Sequence, residues 1–169
     1  SPEVTIHDKE FTPAEVADLC AELQDPASRL VELKLWKTKF TPTALAVFAD
    51  SLSKNESLTH LQIRDCNLGD DGAAKMANVL RRTSTLEVLS LRANSIGVQG
   101  LHAISDALVS NTKSNLELLS LGDNRLTEEG MHILLTCSTL NRTLKGIAVY
   151  GHTMNDKQAK RFWKTAGKT

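Results

Sequence analysis

The sequence predicts a right-handed α/β solenoid in which each repeat adds one strand to a parallel, concave sheet and one helix to a convex layer. Three observations carry this prediction. The string L-x-x-L-x-L recurs at a period of 28 residues, stretched once to 30. Each copy opens with alternating apolar residues, the period of a strand buried on one side only; in a parallel sheet this leaves the other side as an open surface. Behind each strand and its turn, apolar residues return at helical spacing.

In chain order the repeats span about 1–29, 30–57, 58–85, 86–115, 116–143 and 144–169, together a single domain, 1–169. The first is incomplete. Its strand is carried by Val4 and Ile6, and Phe11-Thr12-Pro13 matches Phe40-Thr41-Pro42 of the next copy, 29 residues on; its helix reads Val16/Leu19/Cys20/Leu23. Ser-Pro-Glu stands where a first leucine would, which suggests a fragment of a longer chain. The second repeat has Leu30/Leu33/Leu35 and then Leu45/Phe48/Ala49/Leu52, and the third has Leu58/Leu61/Ile63 and Ala73/Met76/Ala77/Leu80. In the fourth, Leu86/Leu89/Leu91 and Leu101/Ile104/Leu108 are followed by the polar run 109–115, which absorbs the two extra residues as a loop bulge. The fifth has Leu116/Leu119/Leu121 and Met131/Leu134/Cys137, with Ser138 where leucine is expected. The last has Leu144/Ile147/Val149 and Ala159/Phe162/Trp163, its aromatics closing the final layer under a cap of Lys157, Lys160, Arg161, Lys164 and Lys168. Gly72, Gly100 and Gly130 share one slot at the head of three helices, where close packing between neighbouring helices favours a residue without Cβ.

The pattern L-x-x-L-x-L-x-x-[N/C]-x-L with a following helix resembles the leucine-rich repeat, and the period resembles that of the ribonuclease-inhibitor-like subfamily. The resemblance implies a leucine-rich-repeat horseshoe. It also implies a buried ladder at the N/C position, here Thr38, Cys66, Asn94, Asn124 and His152, with Thr38 and His152 departing from the pattern so that the ladder weakens at both ends. Similar repeats occur in NOD-like receptors, tropomodulin, ciliary proteins and the activator of the Ran GTPase. The function implied is that of a protein-interaction module or scaffold. Regulation of a small GTPase and a tropomodulin-like, actin-binding role are the alternatives that the resemblance brings.

Composition narrows the classes further. Twenty basic and 20 acidic residues give a net charge of zero, so the overall field that draws nucleic acid or an anionic membrane is missing. No apolar run reaches the roughly 18 residues of a membrane span. Cys20, Cys66 and Cys137 are scattered, without metal or disulfide spacing, which suits a reducing, cytoplasmic setting. The acceptor triplets Asn55-Glu-Ser57 and Asn141-Arg-Thr143 point weakly the other way. Gly167-Lys168-Thr169 lacks the first glycine of a phosphate loop, and Asp65–Asp70 lacks the ligand order of a calcium loop. The five histidines form no zinc spacing and no nucleophile motif is present, so neither catalysis nor a cofactor is expected.

Stacking the repeats aligns the outward strand residues in columns about 4.8 Å apart. The first reads Glu32, His60, Val88, Leu118, Gly146; the second Thr5, Lys34, Gln62, Ser90, Ser120, Ala148; the third His7, Trp36, Arg64, Arg92, Gly122, Tyr150. Trp, Tyr and Arg dominate interface energetics, so the candidate protein-binding residues are Lys34, Trp36, His60, Gln62, Arg64, Val88, Arg92, Leu118 and Tyr150. Arg64 and Arg92, about 5 Å apart in water, would repel by roughly 0.8 kcal/mol, a cost a carboxylate would reverse. The expected partner is a protein, an acidic peptide or helix with apolar anchors. A monomer is expected; acidic residues near the start and lysines near the end also allow weak end-to-end association.

Overall fold

The computed structural model describes residues 2–151 and 154–165, with side chains as far as residue 161. The ladder position His152, the side chains of Phe162, Trp163 and Lys164, and Lys168 lie outside the described residues. Strands and helices alternate in the order β1 (Glu3–His7), α1 (Pro13–Gln24), β2 (Glu32–Trp36), α2 (Pro42–Ser53), β3 (His60–Arg64), α3 (Gly69–Leu80), β4 (Val88–Ser90), α4 (Val98–Ser110), β5 (Leu118–Ser120), α5 (Glu128–Leu140), β6 (Gly146–Ala148) and α6 (Asp156–Thr165). All strands pair in parallel in sequence order, and each residue meets its counterpart one repeat away, as Glu32 meets His60 and Val88 meets Leu118. The longer fourth repeat therefore leaves the register intact. Its extra length goes into the turn after α4, fixed by Asn111 and the buried Ser114, as the polar run predicts; α4 and α5 are both 13 residues long.

The inward side chains form one continuous core. Leu33, Leu35, Leu61, Ile63, Leu89, Leu91, Leu119 and Leu121 are all buried, whereas Val4 and Ile6 of β1 and Ile147 of β6, with a neighbouring strand on one side only, are half-buried. Burial here is a nearest-neighbour property, as in any stacked repeat. At the first repeats Phe11, Phe40 and Phe48 stack with ring centroids 4.8 and 5.1 Å apart, so the Phe-Thr-Pro echo serves both packing and capping. Thr12 and Thr41 cap α1 and α2 ahead of Pro13 and Pro42, whose fixed φ and missing N–H suit a first helical position.

The expected ladder is present. Asn94 accepts from the backbone N–H of Cys66 (3.0 Å) and donates to the carbonyls of Ile63 (2.7 Å) and Arg92 (3.1 Å). Asn124 repeats this one turn on, accepting from the N–H of Asn94 and Ile96 and donating to Leu91, Leu121 and Gly122. Cys66 copies the donor half with its thiol, directed at the carbonyls of Leu35 and Arg64, and meets Thr38 Oγ1 at 3.2 Å. Burial pushes the Cys66 thiol pKa up, keeping it a donor. A thiol carries one weak proton against two on an amide, so the ladder does weaken toward its first rung.

A second ladder on the helix side of the core is absent from the sequence expectations. Asn55, Thr83, Asn111 and Asn141 share one slot past the helix ends, and Asn55 Nδ2 donates to Leu23 O, Asn111 Nδ2 to Leu80 O and Asn141 Nδ2 to Leu108 O, at 2.7–2.8 Å. Each bond satisfies a C-terminal carbonyl of the previous helix that has no intrahelical partner. The two acceptor triplets thus have a structural origin: the nitrogen that a glycan would occupy is already held by the neighbouring repeat.

The shared glycine slot also resolves into two causes. A Cβ on Gly100 would lie 2.8 Å from Ala73 Cβ of α3 as well as 2.7 Å from Ile96 of its own preceding turn, and one on Gly130 2.7 Å from Leu101 of α4, contacts that include the close helix approach expected. At Gly72 the clash is instead with its own preceding turn, 2.6 Å from Leu68 Cβ. Neighbouring helices also share caps, since Asp70 of α3 accepts from the N–H of Gly97 and Gly100 at the start of α4. At the far end Asn155 and Gln158 cap α6 reciprocally, Lys157 and Lys160 are exposed, and Arg161 reaches back to Glu128 of α5 rather than simply facing water.

Two measurements test this architecture. Asn94→Ala strips partners from several buried backbone groups and should destabilise the protein by about 3 kcal/mol in urea unfolding, whereas Thr38→Ala at the weak rung should cost less than about 1 kcal/mol; equal effects would mean the ladder is not graded. Lys9 and Thr12 together hold the Glu15 carboxyl at about 2, below its ordinary 4.5. A depressed carboxylate pKa stabilises the fold fully above the ordinary value and loses that effect as pH falls through the folded one. Unfolding midpoints should therefore fall more steeply between pH 4.5 and about 2 in the wild type than in Glu15→Gln, and parallel curves would detach Glu15 from the acid response.

Candidate protein-binding face

The helices cover one face of the sheet and the outward columns lie on the other. Register confirms the columns: Glu3, Glu32, His60, Val88, Leu118 and Gly146 stand in the first, and Lys34, Gln62, Ser90, Ser120 and Ala148 in the second. The third continues past the shorter strands, because Asp65 N donates to Arg92 O, Ala93 N to Gly122 O and Asp123 N to Tyr150 O. Just beyond it the chain turns through a left-handed residue in every repeat, at Asp8, Lys37, Asp65, Ala93, Asp123 and Gly151, with φ between 51° and 71°. A side chain other than glycine is strained there. At Gly151 a Cβ would fall 2.0 Å from Asp123 Oδ1, so a side chain there would have to displace the Asp123 carboxylate.

The predicted residues do share this face, but most of their charge is already engaged. Lys34 lies 2.6 Å from Glu3 and 3.2 Å from Glu32, which raise its pKa, and Gln62 reaches Glu32 at 3.4 Å. The first two columns therefore open with a closed polar network rather than a basic patch. His60 is half-buried against the Thr59 hydroxyl at 2.8 Å. Arg64 and Arg92, neighbours in the third column, have different partners. Arg64 lies over the Trp36 ring, 5.8 Å from its centroid, while Arg92 pairs with Asp123 at 2.6 Å and lies 5.0 Å from the Tyr150 ring centroid. Asp123 holds the Arg92 guanidinium in its charged form.

Asp123 and Glu3 are the residues that sequence reasoning passed over. Asp123 occupies the left-handed slot, which Asp tolerates better than most, and its place directly after the third column was the available signal. Tyr150 sits over Gly122, where a Cβ would lie 2.7 Å from the ring, so the glycine is what lets the ring reach Arg92.

Beside Arg64 lies an open hollow of about 440 Å³, lined by Arg64, Val88, Ser90, Leu118, Gly146 and Ala148 among others. Leu118 is 48% exposed, and Tyr150 at 49% and Trp36 at 39% stand on the same face. Two donors at the hollow, Arg64 Nε and Ser90 Oγ, are buried and have no hydrogen-bond partner among the described residues. Buried polar atoms without partners are uncommon, and two lining one hollow define its chemistry.

Comparison with known proteins agrees with this architecture. A family model described as Leucine Rich repeat matches residues 54–77. The chain is 34% identical over 97 residues to mouse NACHT, LRR and PYD domains-containing protein 14 and 33% identical over 94 residues to human NACHT, LRR and PYD domains-containing protein 13. These matches take in 57% and 55% of this chain but only 10% and 9% of the relatives' length. Pig ribonuclease inhibitor is 31% identical over 99 residues, 58% of this chain and 22% of its own. Among solved structures, the tropomodulin C-terminal domain of Caenorhabditis elegans superposes with a TM-score of 0.68 at 9% identity, covering 91% of this chain and 92% of that one, which shows a shared fold.

The Tyr150 platform is directly testable. Gly122→Ala should push the ring off Arg92, destabilising the protein by about 1 kcal/mol and shifting the NMR resonances of its single tyrosine. Unmoved resonances would show that the ring does not rest on residue 122.

Proposed function

This chain is an α/β solenoid of leucine-rich repeats of the ribonuclease-inhibitor type, and from that premise we propose that it is a protein-binding module whose open sheet face takes an acidic peptide or helix with apolar anchors. The observation that carries this reading is the exposure of Trp36, Leu118 and Tyr150 on one rigid face around a hollow that contains unpaired donors. Large apolar side chains exposed on the same face as unmet donors have no stabilising role in the free molecule, whereas a partner removes them from water at about 25 cal/mol per Å². Trp36 and Tyr150 are the rigid aromatic anchors, Val88 and Leu118 the apolar floor, and Arg64 the charge that selects an acidic partner. Lys34, His60, Gln62 and Arg92 position their neighbours around this footprint. Regulation of a small GTPase and actin binding are narrower readings of the same module, and no residue of this face favours either.

Capture on the immobilised protein tests the proposal. Leu118→Asp and Arg64→Glu should each abolish retention of a partner while leaving the melting temperature within about 2 °C, as expected of exposed positions. Leu140→Asp serves as the control, since Leu140 is exposed on the helix side beside the groove between α4 and α5. Loss of capture in Leu140→Asp with retention in Leu118→Asp would move the interface to the helices and overturn the reading.

A further inference from the structure

We propose that the hollow is a carboxylate seat, in which Arg64 Nε–H and Ser90 Oγ–H, both shielded from water in the free chain, rotate into the hollow to receive an aspartate or glutamate side chain of the bound peptide. An apolar side chain one or two residues away would rest on Val88 and Leu118. The inference rests on the reading of this face as the binding face and assigns the chemistry of its central contact.

Three observations lead there. First, both donors are buried yet unmet among the described residues, although Ser90 is only 5% exposed. Ser90 stands in the second column in register with Gln62 and Ser120, and its hydroxyl finds no partner there among the described residues. Second, Arg64 is the one charged side chain lining the hollow, and no carboxylate is bonded to it among the described residues, while Lys34 and Arg92 each have one. Third, the lining divides by column: Val88, Leu118 and Gly146 lie in the first, Ser90 and Ala148 in the second and Arg64 in the third. Donors therefore stand to one side of the apolar floor rather than around it. A carboxylate offers two acceptor oxygens to two donors and one negative charge to one guanidinium, and charge-assisted bonds of this kind are roughly twice as strong as neutral ones. A phosphate dianion would ask for more positive charge than the single guanidinium of the hollow supplies. A backbone carbonyl would leave the guanidinium charge unmatched.

Gly146 makes the seat accessible. A Cβ there would be in contact with Leu118 at 3.5 Å, so any larger side chain would grow into the hollow beside the apolar anchor.

NMR titration of the whole chain with acetyl-leucyl-aspartate amide, against its asparagine, phosphoserine and free acetyl-leucine counterparts, tests the seat. The aspartate peptide should bind at least about tenfold tighter than the asparagine one and move the Arg64 Nε–H resonance downfield, with the Leu118 methyls shifting in both. Ser90→Ala should weaken the aspartate peptide about fivefold, the share of one hydrogen bond, while leaving the melting temperature unchanged or raised, because it removes a buried hydroxyl without partners. A serine that mattered only for folding would do the reverse. Equal affinity for aspartate and asparagine, tighter binding of phosphoserine or of the free chain end, or a response at Arg92 in place of Arg64 would each overturn the carboxylate seat. If those results came while Leu118→Asp still abolished capture, the seat alone would fall. Capture that survived Leu118→Asp would instead sink the binding face itself.

Discussion

The turn after each strand is where this chain has most to satisfy. The backbone leaves the sheet there and passes through a left-handed residue, and its N–H and C=O groups are buried away from water, where each unmet group costs about 1–3 kcal/mol. In the fourth and fifth repeats one amide side chain meets that requirement, and it does so across the repeat boundary: Asn94 accepts from the turn that starts at Cys66 and donates back to Ile63, and Asn124 does the same for the turn at Asn94. No repeat completes its own turn. Each needs the next, which makes the stack cooperative from the centre outward and grades it toward Thr38, where an amide is replaced first by a thiol and then by a hydroxyl.

The open face inherits its geometry from that constraint. Because the ladder fixes where each strand ends, it also fixes the third column, the left-handed residue after it, and so the position from which Asp123 meets Arg92. What varies between repeats is side-chain size on a constant frame. Gly122 gives room to Tyr150 and Gly146 gives room beside Leu118, and the hollow exists because small residues fall together in the last two strands.

This division explains what was legible in the sequence. Strand and helix positions, register and the core followed from apolar spacing, because burial on one face of a strand or helix imposes a period that survives substitution. Membership of the columns followed too, since alternation decides which way a side chain points. How the charges paired did not. Lys34 with Glu3 one repeat back and Glu32 two residues away, and Arg92 with Asp123 one repeat on, are joined by side-chain conformations, which spacing alone does not determine. Asn55 and Asn141 show the same limit from the other side, where a local triplet suggested a modification and a contact with the preceding repeat supplied the actual reason.

Twenty basic and 20 acidic residues give a net charge of zero, and together with these pairings this shapes what the face can recognise. With Lys34 and Arg92 matched within the molecule, little long-range field is left to draw a partner, and exposed ion pairs of this kind contribute well under 1 kcal/mol each to stability. Their larger effect is to leave Arg64 as the charged group of a hollow floored by Val88 and Leu118. A charge beside apolar surface interacts more strongly once a partner excludes water, and it penalises a partner that brings no acceptor. Discrimination on this face therefore arises at close range, after contact, where a missing carboxylate leaves a guanidinium and a hydroxyl buried without partners and a present one satisfies both.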